Sequence, residues 1–356
     1  SSDFLQSSVT GMYPEIQKWT TQDGALLAVP VSMNFDCLAY NPAAFERIGL
    51  AESDIPQTWE EFFALLTQMP ALLEAHPDVR LFDNYTSVAY LKEGLLQTIL
   101  RTALGQVQAL QDFETISPAL CSALDALDAF DFAALTEVVD GREAGNVYAG
   151  TFAGGEILFS SWGRFSASQN DYVFQHTLKP LMLKLQETDG DALYMDLTVA
   201  FVNPYSQQPD AAIAYLESLL RAQDGLFWIH TCPAQDAPLR QEGFEERLAS
   251  YETMLENDLP NQIAQAAEED IPRLESLLAE TQAQYEEYLR SGSYVASPES
   301  IARYKAIAGF LQVAPHLSTI MDTYGAWMQQ YLEGTMDIRE FENRLRTTIG
   351  MMIAEG

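Results

Sequence analysis

Residues 23–41 read DGALLAVPVSMNFDCLAYN, and the other segments of the chain can be placed relative to this stretch. Residues 26–31 are apolar and partly β-branched, and residues 37–40 resume an apolar, extended pattern. These two runs predict two β-strands, which residues 32–34 join. Because a strand that breaks at polar residues often passes between two lobes, we expect this stretch to make such a crossing.

The length and composition indicate a folded chain with more than one core. The chain has 356 residues, of which 47% are apolar, so two lobes or domains are expected. No apolar run has the length of a membrane-spanning helix, and the first residues, SSDFLQSS, lack the basic start and apolar block of a signal peptide. We expect any targeting segment or lipid-accepting Cys to lie outside this sequence.

The net charge is strongly negative, with 51 Asp and Glu against 19 Lys and Arg, giving −32. A polyanion such as nucleic acid would be repelled, and no basic stripe with interleaved aromatic residues is present. Nucleic acid is therefore excluded as a partner. The surplus carboxylates favour solubility, and whether some of them bind Ca²⁺ stays open.

Few residues suggest catalysis or metal binding. Cys37, Cys121 and Cys232 are odd in number and far apart, which excludes a disulfide scaffold and predicts buried free thiols. Only four His occur, none close to another in sequence, and each, His230 included, is expected to be structural. Dinucleotide-binding, P-loop, zinc-protease and serine-hydrolase motifs are absent from the sequence. We therefore expect no cofactor, no metal and no catalytic residue.

Local patterns predict several elements. Thr58 followed by Glu61 forms a capping box before an apolar stripe, so a helix should start there, with Trp59 packed at its first turn. Residues 3–20 have apolar residues spaced by three and four, which predicts one amphipathic helix. An acidic helical hairpin is predicted over residues 243–290, which are dense in Glu and Gln.

The residues with the clearest potential to bind a ligand are aromatic or polar. They are Asn34, Phe35, Tyr40, Tyr148, Trp162, Arg164 and Tyr205. Trp162 follows a predicted strand at residues 157–159 and stands between Ser161 and Gly163, at a position where α/β proteins place ligand contacts. Sugars and similar neutral ligands are held by aromatic faces together with amides and hydroxyls. Packing in the core stays an alternative for Tyr40 and Trp162.

Four segments in order carry a resemblance to a known family. They are DGALLAVPVSMNFDCLAYNPAAFERIGL with IPQTWEEF, FAGGEILFSSWGRF, TVAFVNPYSQQPDAAIAYLESLL, and YLEGTMDIREFENRLR. The chain resembles the carbohydrate-type extracellular solute-binding proteins (family 1) of bacterial ABC importers. The first segment, taken together with IPQTWEEF, is fairly specific for this family, and the four segments span most of the chain.

The resemblance implies an α/β fold with the two lobes of the type II periplasmic binding proteins. Lobe I would contain residues 1–31 and 199–315, and lobe II would contain residues 32–198 and 316–356. Hinge strands would cross between the lobes near residues 30–34 and near residues 199–203. The ligand would lie in the cleft between the lobes, and closure would present it to a membrane permease.

The resemblance also implies a function and a site. The protein would capture a carbohydrate-like ligand outside the cytoplasm, deliver it to an ABC permease and catalyse no reaction, with a lipid anchor as its only membrane attachment. By this mapping the ligand-binding residues are Asn34, Phe35, Ser161, Trp162 and Arg164, with Trp162 stacking on the sugar. Two alternatives remain: a protein-interaction module that uses the acidic hairpin, and a carboxylate-dependent glycoside hydrolase.

Two departures from the family pattern bear on this interpretation. Only about twenty residues precede the crossing strand, whereas the family has a sizeable βα portion there. We therefore expect the N-terminal part of the first lobe to belong to a longer protein. The acidic hairpin at residues 243–290 lies outside the minimal fold, and its role is open.

Overall fold

The structure is a computed structural model that describes residues 2–83, 87–107, 110–141, 156–175, 177–187, 189–314 and 317–355. The chain divides into two units. Unit 1 contains Ser1–Phe165, Asp171–Gln223 and Ile307–Gly356, and unit 2 contains Ser166–Asn170 and Asp224–Ala306. This partition differs from the predicted lobes, whose boundaries stay a prediction.

Helices account for most of the regular structure. The helices are α1 (Asp3–Thr10), α2 (Pro14–Thr20), α3 (Pro42–Arg47), α4 (Trp59–Leu73), α5 (Val88–Gly105), α6 (Leu110–Ala129), α7 (Thr136–Val139), α8 (Tyr172–Gln175), α9 (Pro209–Arg221), α10 (Gly225–Thr231), α11 (Phe244–Thr253), α12 (Leu259–Gln265), α13 (Ile271–Glu287), α14 (Pro298–Ala308), α15 (Leu317–Leu332) and α16 (Ile338–Glu355). The strands are β1 (Thr21–Gln22), β2 (Ala25–Leu26), β3 (Val29–Asn34), β4 (Asp36–Tyr40), β5 (Val79–Phe82), β6 (Glu156–Arg164), β7 (Lys179–Pro180), β8 (Leu193–Ala200), β9 (Leu239–Arg240), β10 (Tyr294–Ala296) and β11 (Leu311–Val313).

Unit 1 contains two mixed sheets. One has the order β11-β8-β3, with β11 parallel and β3 antiparallel to β8. The other has the order β5-β6-β4-β7, with β5 parallel and β4 antiparallel to β6. Strands β1 and β2 form a short ribbon in unit 1, and β9 and β10 pair in unit 2.

The stretch at residues 23–41 forms two strands, as predicted, and they belong to different sheets. The predicted junction at residues 32–34 is wrong, because Ser32 to Asn34 pair with β8 and only Phe35 separates β3 from β4. The polar side chains did not mark a break, since backbone pairing with β8 decides where the strand ends. A bulge follows Pro30, and the Val31 carbonyl accepts a hydrogen bond from Gln223 Nε2 at 3.0 Å.

The N-terminal segment forms two helices rather than the single helix predicted. Helix α1 ends before Gly11, and α2 restarts with Pro14 in its first turn. Proline lacks the N–H that a continuing helix needs, and its ring clashes with the preceding turn. Ile16 of α2 and Val9 of α1 are nonetheless both buried, so the apolar spacing correctly indicated one buried face.

The capping box of α4 is confirmed. Glu61 N–H donates to Thr58 Oγ1 at 3.3 Å, and Thr58 N–H donates to Glu61 Oε2 at 3.3 Å. Trp59 is buried and packs edge to face on Phe62, with ring centroids 5.9 Å apart. Trp59 is therefore a core residue of unit 1, as predicted.

Unit 2 contains paired helices over the segment predicted as an acidic hairpin. Helices α11 and α12, joined by a π-helical turn, pack against α13. Tyr251 of α11 contacts Tyr285 of α13 with ring centroids 5.9 Å apart, and Phe244 stacks on Tyr288. The aromatic rings face one another between the helices, and most of the carboxylate-bearing residues are exposed.

Candidate functional site

The predicted ligand-binding residues lie at the ends of three strands in unit 1. Asn34 is the last residue of β3, Phe35 separates β3 from β4, and Arg164 is the last residue of β6. Asp36 pairs with Arg164 in the sheet register, so the end of β6 lies beside the break between β3 and β4. Ser161 lies in β6, three residues before Arg164. The structure thus brings these segments to one place.

Two aromatic candidates are packing residues in the structure. Phe35 is 3% exposed, and its ring stacks on Phe165 with centroids 6.0 Å apart and planes 8° from parallel. Tyr40 is 8% exposed and packs edge to face on Phe45, and burial raises the pKa of its hydroxyl. Phe35 therefore packs against the residue that follows β6, and Tyr40 belongs to the core at the other end of β4.

The structure gives a different outcome for each of three other aromatic candidates. Tyr205 is 86% exposed in the turn after β8, beyond the Ala200 end of that strand. Tyr148 lies outside the described residues. The backbone of Trp162 lies in β6, but its side chain lies outside the described side chains, so stacking by Trp162 stays a prediction.

Close backbone approach between β6 and β4 requires Gly163. A Cβ at this position would lie 3.0 Å from the Cys37 carbonyl oxygen and 2.8 Å from Ala39 Cβ. Glycine removes this conflict, so β6 can pair closely with β4 beside the site. Burial raises the pKa of the Cys37 thiol, and the Asp36 carboxylate acts in the same direction. The Cys37 side chain is a half-buried free thiol, rather than the buried one predicted, and it is held in its neutral form.

A network of alternating charges surrounds the candidate residues. Arg164 Nε lies 3.4 Å from Asp36 Oδ1. Arg101, on α5, donates from Nη1 to the Asp36 backbone oxygen at 3.5 Å and places Nη2 3.7 Å from Asp196 Oδ2. Asp196, on β8, is in turn the sheet partner of Asn34. The network therefore runs from one sheet of unit 1 to the other through the predicted site.

Sequence reasoning missed Arg101 and Asp196. Arg101 was one of 19 basic residues and Asp196 one of 51 acidic residues, so neither carried an individual signal. Their partnership depends on a close approach of α5 to β8. A Cβ at Gly105, one helical turn after Arg101, would lie 2.1 Å from Tyr194 Cδ1. The glycine thus allows the helix face that carries Arg101 to reach β8.

A small cavity of about 30 Å³ adjoins this network. Its lining includes Asp36, Cys37, Trp59, Arg101 and Tyr194. Burial raises the pKa of Tyr194 to about 12, so its hydroxyl stays protonated and can donate a hydrogen bond. This volume has room for about one water molecule, so the residues around the cavity are closely packed.

Metal sites and membrane-spanning helices were both sought among the described residues. Within the described ranges, no three His, Cys, Asp or Glu side chains are grouped so that they could hold a metal ion. Among the helices described, none combines the length and the apolar composition that crossing a membrane requires.

Comparisons with known proteins identify relatives of this architecture. The model of a family described as bacterial extracellular solute-binding protein matches residues 3–224, which is more than half of the chain. The matched residues end where the long segment of unit 2, Asp224–Ala306, begins. No curated protein matches the sequence.

Several solved structures are similar over almost the whole chain. A sugar transporter from Bacillus licheniformis in complex with stachyose has 13% identity and a TM-score of 0.50, with 98% of this chain and 78% of that chain covered. The cyclic alpha-maltosyl-1,6-maltose binding protein from Arthrobacter globiformis has 16% identity and a TM-score of 0.47, with 98% and 78% covered. The sugar-binding protein MalE from Xanthomonas citri has 15% identity and a TM-score of 0.47, with 97% and 75% covered. At these identities the likeness concerns the fold, and the first of the three confirms the predicted helix-rich α/β fold of the periplasmic binding proteins.

Proposed function

Because the chain belongs to the bacterial extracellular solute-binding proteins, we propose that it captures a carbohydrate outside the cytoplasm and delivers it to the permease of an ABC transporter. The observation that carries this proposal is the family match over residues 3–224, which includes every candidate ligand-binding residue. The similar fold of the Bacillus licheniformis sugar transporter, solved with stachyose, supports an oligosaccharide as the ligand class.

The chemistry of the site suits a neutral, hydroxyl-rich ligand. Asn34 and Ser161 offer an amide and a hydroxyl, while Asp36 and Asp196 offer carboxylate oxygens that accept hydrogen bonds from sugar hydroxyls. Arg101 pairs with the Asp196 carboxylate and Arg164 with the Asp36 carboxylate, so a neutral ligand would meet charges that are already paired. In this proposal the Trp162 ring stacks on the C–H face of a sugar ring, and Phe35 supports the site from beneath.

Arg164 is proposed to bind the ligand directly. Its side chain is 66% exposed, and its contact with Asp36 is a single one at 3.4 Å. An exposed pair of this kind contributes little to stability and constrains the side chain weakly. The guanidinium can therefore turn toward ligand hydroxyls while it still neutralises Asp36.

We propose the lobe boundaries that the resemblance implies, with lobe I at residues 1–31 and 199–315 and lobe II at residues 32–198 and 316–356. Strands β3 and β4 support this proposal, because they are separated by one residue and belong to different sheets. Phe35, the residue between these strands, lies three residues after the proposed start of lobe II at residue 32, and ligand binding would stabilise a closed arrangement of the lobes.

Calorimetric titration of the protein with an oligosaccharide panel tests the proposed function. The panel contains stachyose, maltotetraose and chitotetraose, with a tetrapeptide and spermidine as other ligand classes. We expect a saturable response to at least one sugar and its loss in Trp162→Ala, with Trp19→Ala as the matched control outside the site. A response to the peptide or spermidine alone would contradict the ligand class, and unchanged affinity in Trp162→Ala would contradict the stacking role.

We further propose that the protein returns its ligand chemically unchanged. Membership of a family of binding proteins supports this, and so does the pairing of both site carboxylates, Asp36 and Asp196, with arginines. Chromatography of each sugar after prolonged incubation with the protein should recover only the starting compound. Accumulation of shorter saccharides, abolished by Asp36→Asn or Asp196→Asn, would establish a hydrolase instead.

A further inference from the structure

A second cavity lies at the opposite end of β4 from the candidate site. Its volume is about 540 Å³, and every residue that lines it belongs to unit 1. Tyr40 lines this cavity and stands at the other end of β4 from Asp36, so at about 3.3 Å per strand residue the two ends are about 13 Å apart. The volume is in the range of cavities that hold small molecules.

The end of α3 gives this cavity an apolar wall. Gly49 has a φ of 85°, a conformation that favours glycine, and its N–H donates to the Glu46 carbonyl at 3.0 Å. The Leu50 N–H donates to the Phe45 carbonyl, also at 3.0 Å, so the helix ends here and the following residues form one wall. Leu50 and Ile55 in this wall are half-buried and pack against the hydrophobic core of unit 1.

Tyr40 lies at the base of the cavity and has an unused hydrogen-bonding group. The residue is 8% exposed, and its ring packs edge to face on Phe45 with centroids 5.7 Å apart. Within the part of the chain that the structure describes, the Tyr40 hydroxyl has no hydrogen-bond partner. Burial raises the pKa of this hydroxyl, and the Glu52 carboxylate, which lines the same cavity, acts in the same direction. Because nearly buried polar groups are almost always hydrogen-bonded, the hydroxyl is available to a polar atom of a ligand.

Charges of both signs stand around the cavity. Lys179 pairs with Tyr40 in the antiparallel register of β7 and β4, so the two side chains lie on the same face of the sheet. Glu46, on α3, and Glu52, in the turn that follows, line the cavity together with Lys179. All three are exposed, and none of them forms an ion pair with another residue in the described ranges. One cationic and two anionic groups therefore surround an apolar base without partners.

This combination of groups discriminates between classes of ligand. A neutral sugar carries no charge that could pair with the two carboxylates or with the ammonium. A polyamine would pair with the carboxylates and be repelled by Lys179, whereas a simple anion would be repelled by Glu46 and Glu52. A zwitterion pairs with both signs, and an apolar body on the same molecule covers the wall at Leu50.

We propose that this cavity is a second ligand site, which binds a free amino acid with a large apolar side chain. Glu46 and Glu52 hold the ammonium of the amino acid. Lys179 and the Tyr40 hydroxyl hold its carboxylate, and its side chain lies against the apolar wall that follows α3. The site is separate from the one to which carbohydrate binding is assigned, so it does not rest on the proposed function.

Calorimetric titration of the full chain with L-phenylalanine tests this proposal. Two analogues separate the contacts, because phenylalaninamide lacks the carboxylate and N-acetylphenylalanine lacks the ammonium. We expect L-phenylalanine to bind at least about tenfold more tightly than either analogue. Lys179→Gln should remove most of its advantage over the amide, and Glu52→Gln should remove most of its advantage over the acetylated compound.

Two further variants complete the test. Tyr40→Phe keeps the packed ring and should fold normally, because the hydroxyl has no partner to lose, while the affinity for L-phenylalanine should fall about tenfold. Glu60→Gln is the matched control for Glu52→Gln, since Glu60 is exposed on α4 outside the cavity and its replacement changes the net charge equally. It should leave the affinity unchanged.

Three results would overturn the proposal. The first is the absence of a saturable response to L-phenylalanine up to about 10 mM. The second is equal weakening in Glu52→Gln and Glu60→Gln, which would reveal a general attraction to a chain of charge −32. The third is competition between L-phenylalanine and a panel sugar that binds, which would place both at one site. Failure of every sugar to bind would contradict the proposed function alone, because the phenylalanine titration decides the second site separately.

Discussion

Arg101 Nη2 lies 3.7 Å from Asp196 Oδ2, and this ion pair joins helix α5 to strand β8. Arg101 also donates to the Asp36 backbone oxygen on β4, so one side chain contacts both sheets of unit 1. The two acidic residues lie beside Asn34 and Arg164 in the strand registers. Arg101 therefore connects Asp36, on one sheet of the candidate site, to Asp196 on the other.

Replacing Arg101 should weaken ligand binding more than folding. In Arg101→Gln we expect the free energy of unfolding to change by less than about 1 kcal/mol, because the pair is partly exposed. Affinity for the sugar should fall about tenfold, because Asp196 loses its counter-charge. Calorimetry and urea denaturation measure the two effects. Arg47→Gln, which breaks the exposed pair with Asp78, is the control and should leave the affinity unchanged.

Adding one methyl group at Gly105 should separate α5 from β8. The new Cβ would lie 2.1 Å from Tyr194 Cδ1, so Gly105→Ala should lower the free energy of unfolding by about 1 to 3 kcal/mol. Gly94→Ala on the same helix meets no atom within 4 Å and should be neutral or stabilising by up to about 1 kcal/mol. Urea denaturation of both variants makes the comparison, and equal stabilities would show that α5 can shift without cost.

The buried imidazole of His230 should make stability depend on pH. Its folded-state pKa of about 4 lies below the ordinary 6.5, so between these values the unfolded chain binds a proton that the folded chain does not. The free energy of unfolding should therefore fall as the pH decreases from about 6.5 through about 4, by up to about 3 kcal/mol.

The measurement is urea denaturation at about pH 7 and about pH 4.5 for the unmodified protein and for His230→Gln. The other ionisable groups are the same in both proteins, so their contribution cancels in the difference. The glutamine variant should lose less stability on acidification. A pH dependence that is the same in both proteins would mean that folding does not lower the pKa of the His230 imidazole.

The N-terminal cap of α4, formed by Thr58 and Glu61, should contribute to the stability of the protein. Thr58→Ala removes the acceptor for Glu61 N–H and should lower the free energy of unfolding by about 1 kcal/mol. Thr58→Ser keeps the hydroxyl and should stay within about half of that value. Thermal denaturation distinguishes the two variants, and equal losses would assign the effect to the Thr58 methyl group rather than to the cap.

The sequence by itself determined the features that depend on neighbouring residues and on family resemblance. Thr58 and Glu61 are three residues apart, so their capping box and the helix after it could be predicted from local chemistry alone. The two strands in residues 23–41, the burial of Trp59 and the helix-rich α/β fold of a solute-binding protein were likewise predicted. The amphipathic spacing of residues 3–20 indicated a buried face, although Pro14 divides the helix.

Only the tertiary structure decided which distant residues meet. Strand β3 continues through Asn34 because β8 pairs with it, and Arg101 meets Asp196 because Gly105 lets α5 approach that strand. His230 was expected to be structural, and its contact with Ala167 gives it a specific partner. These partners are far apart in the chain and carry no local pattern, because hydrogen bonds and ion pairs depend on distances that folding alone establishes.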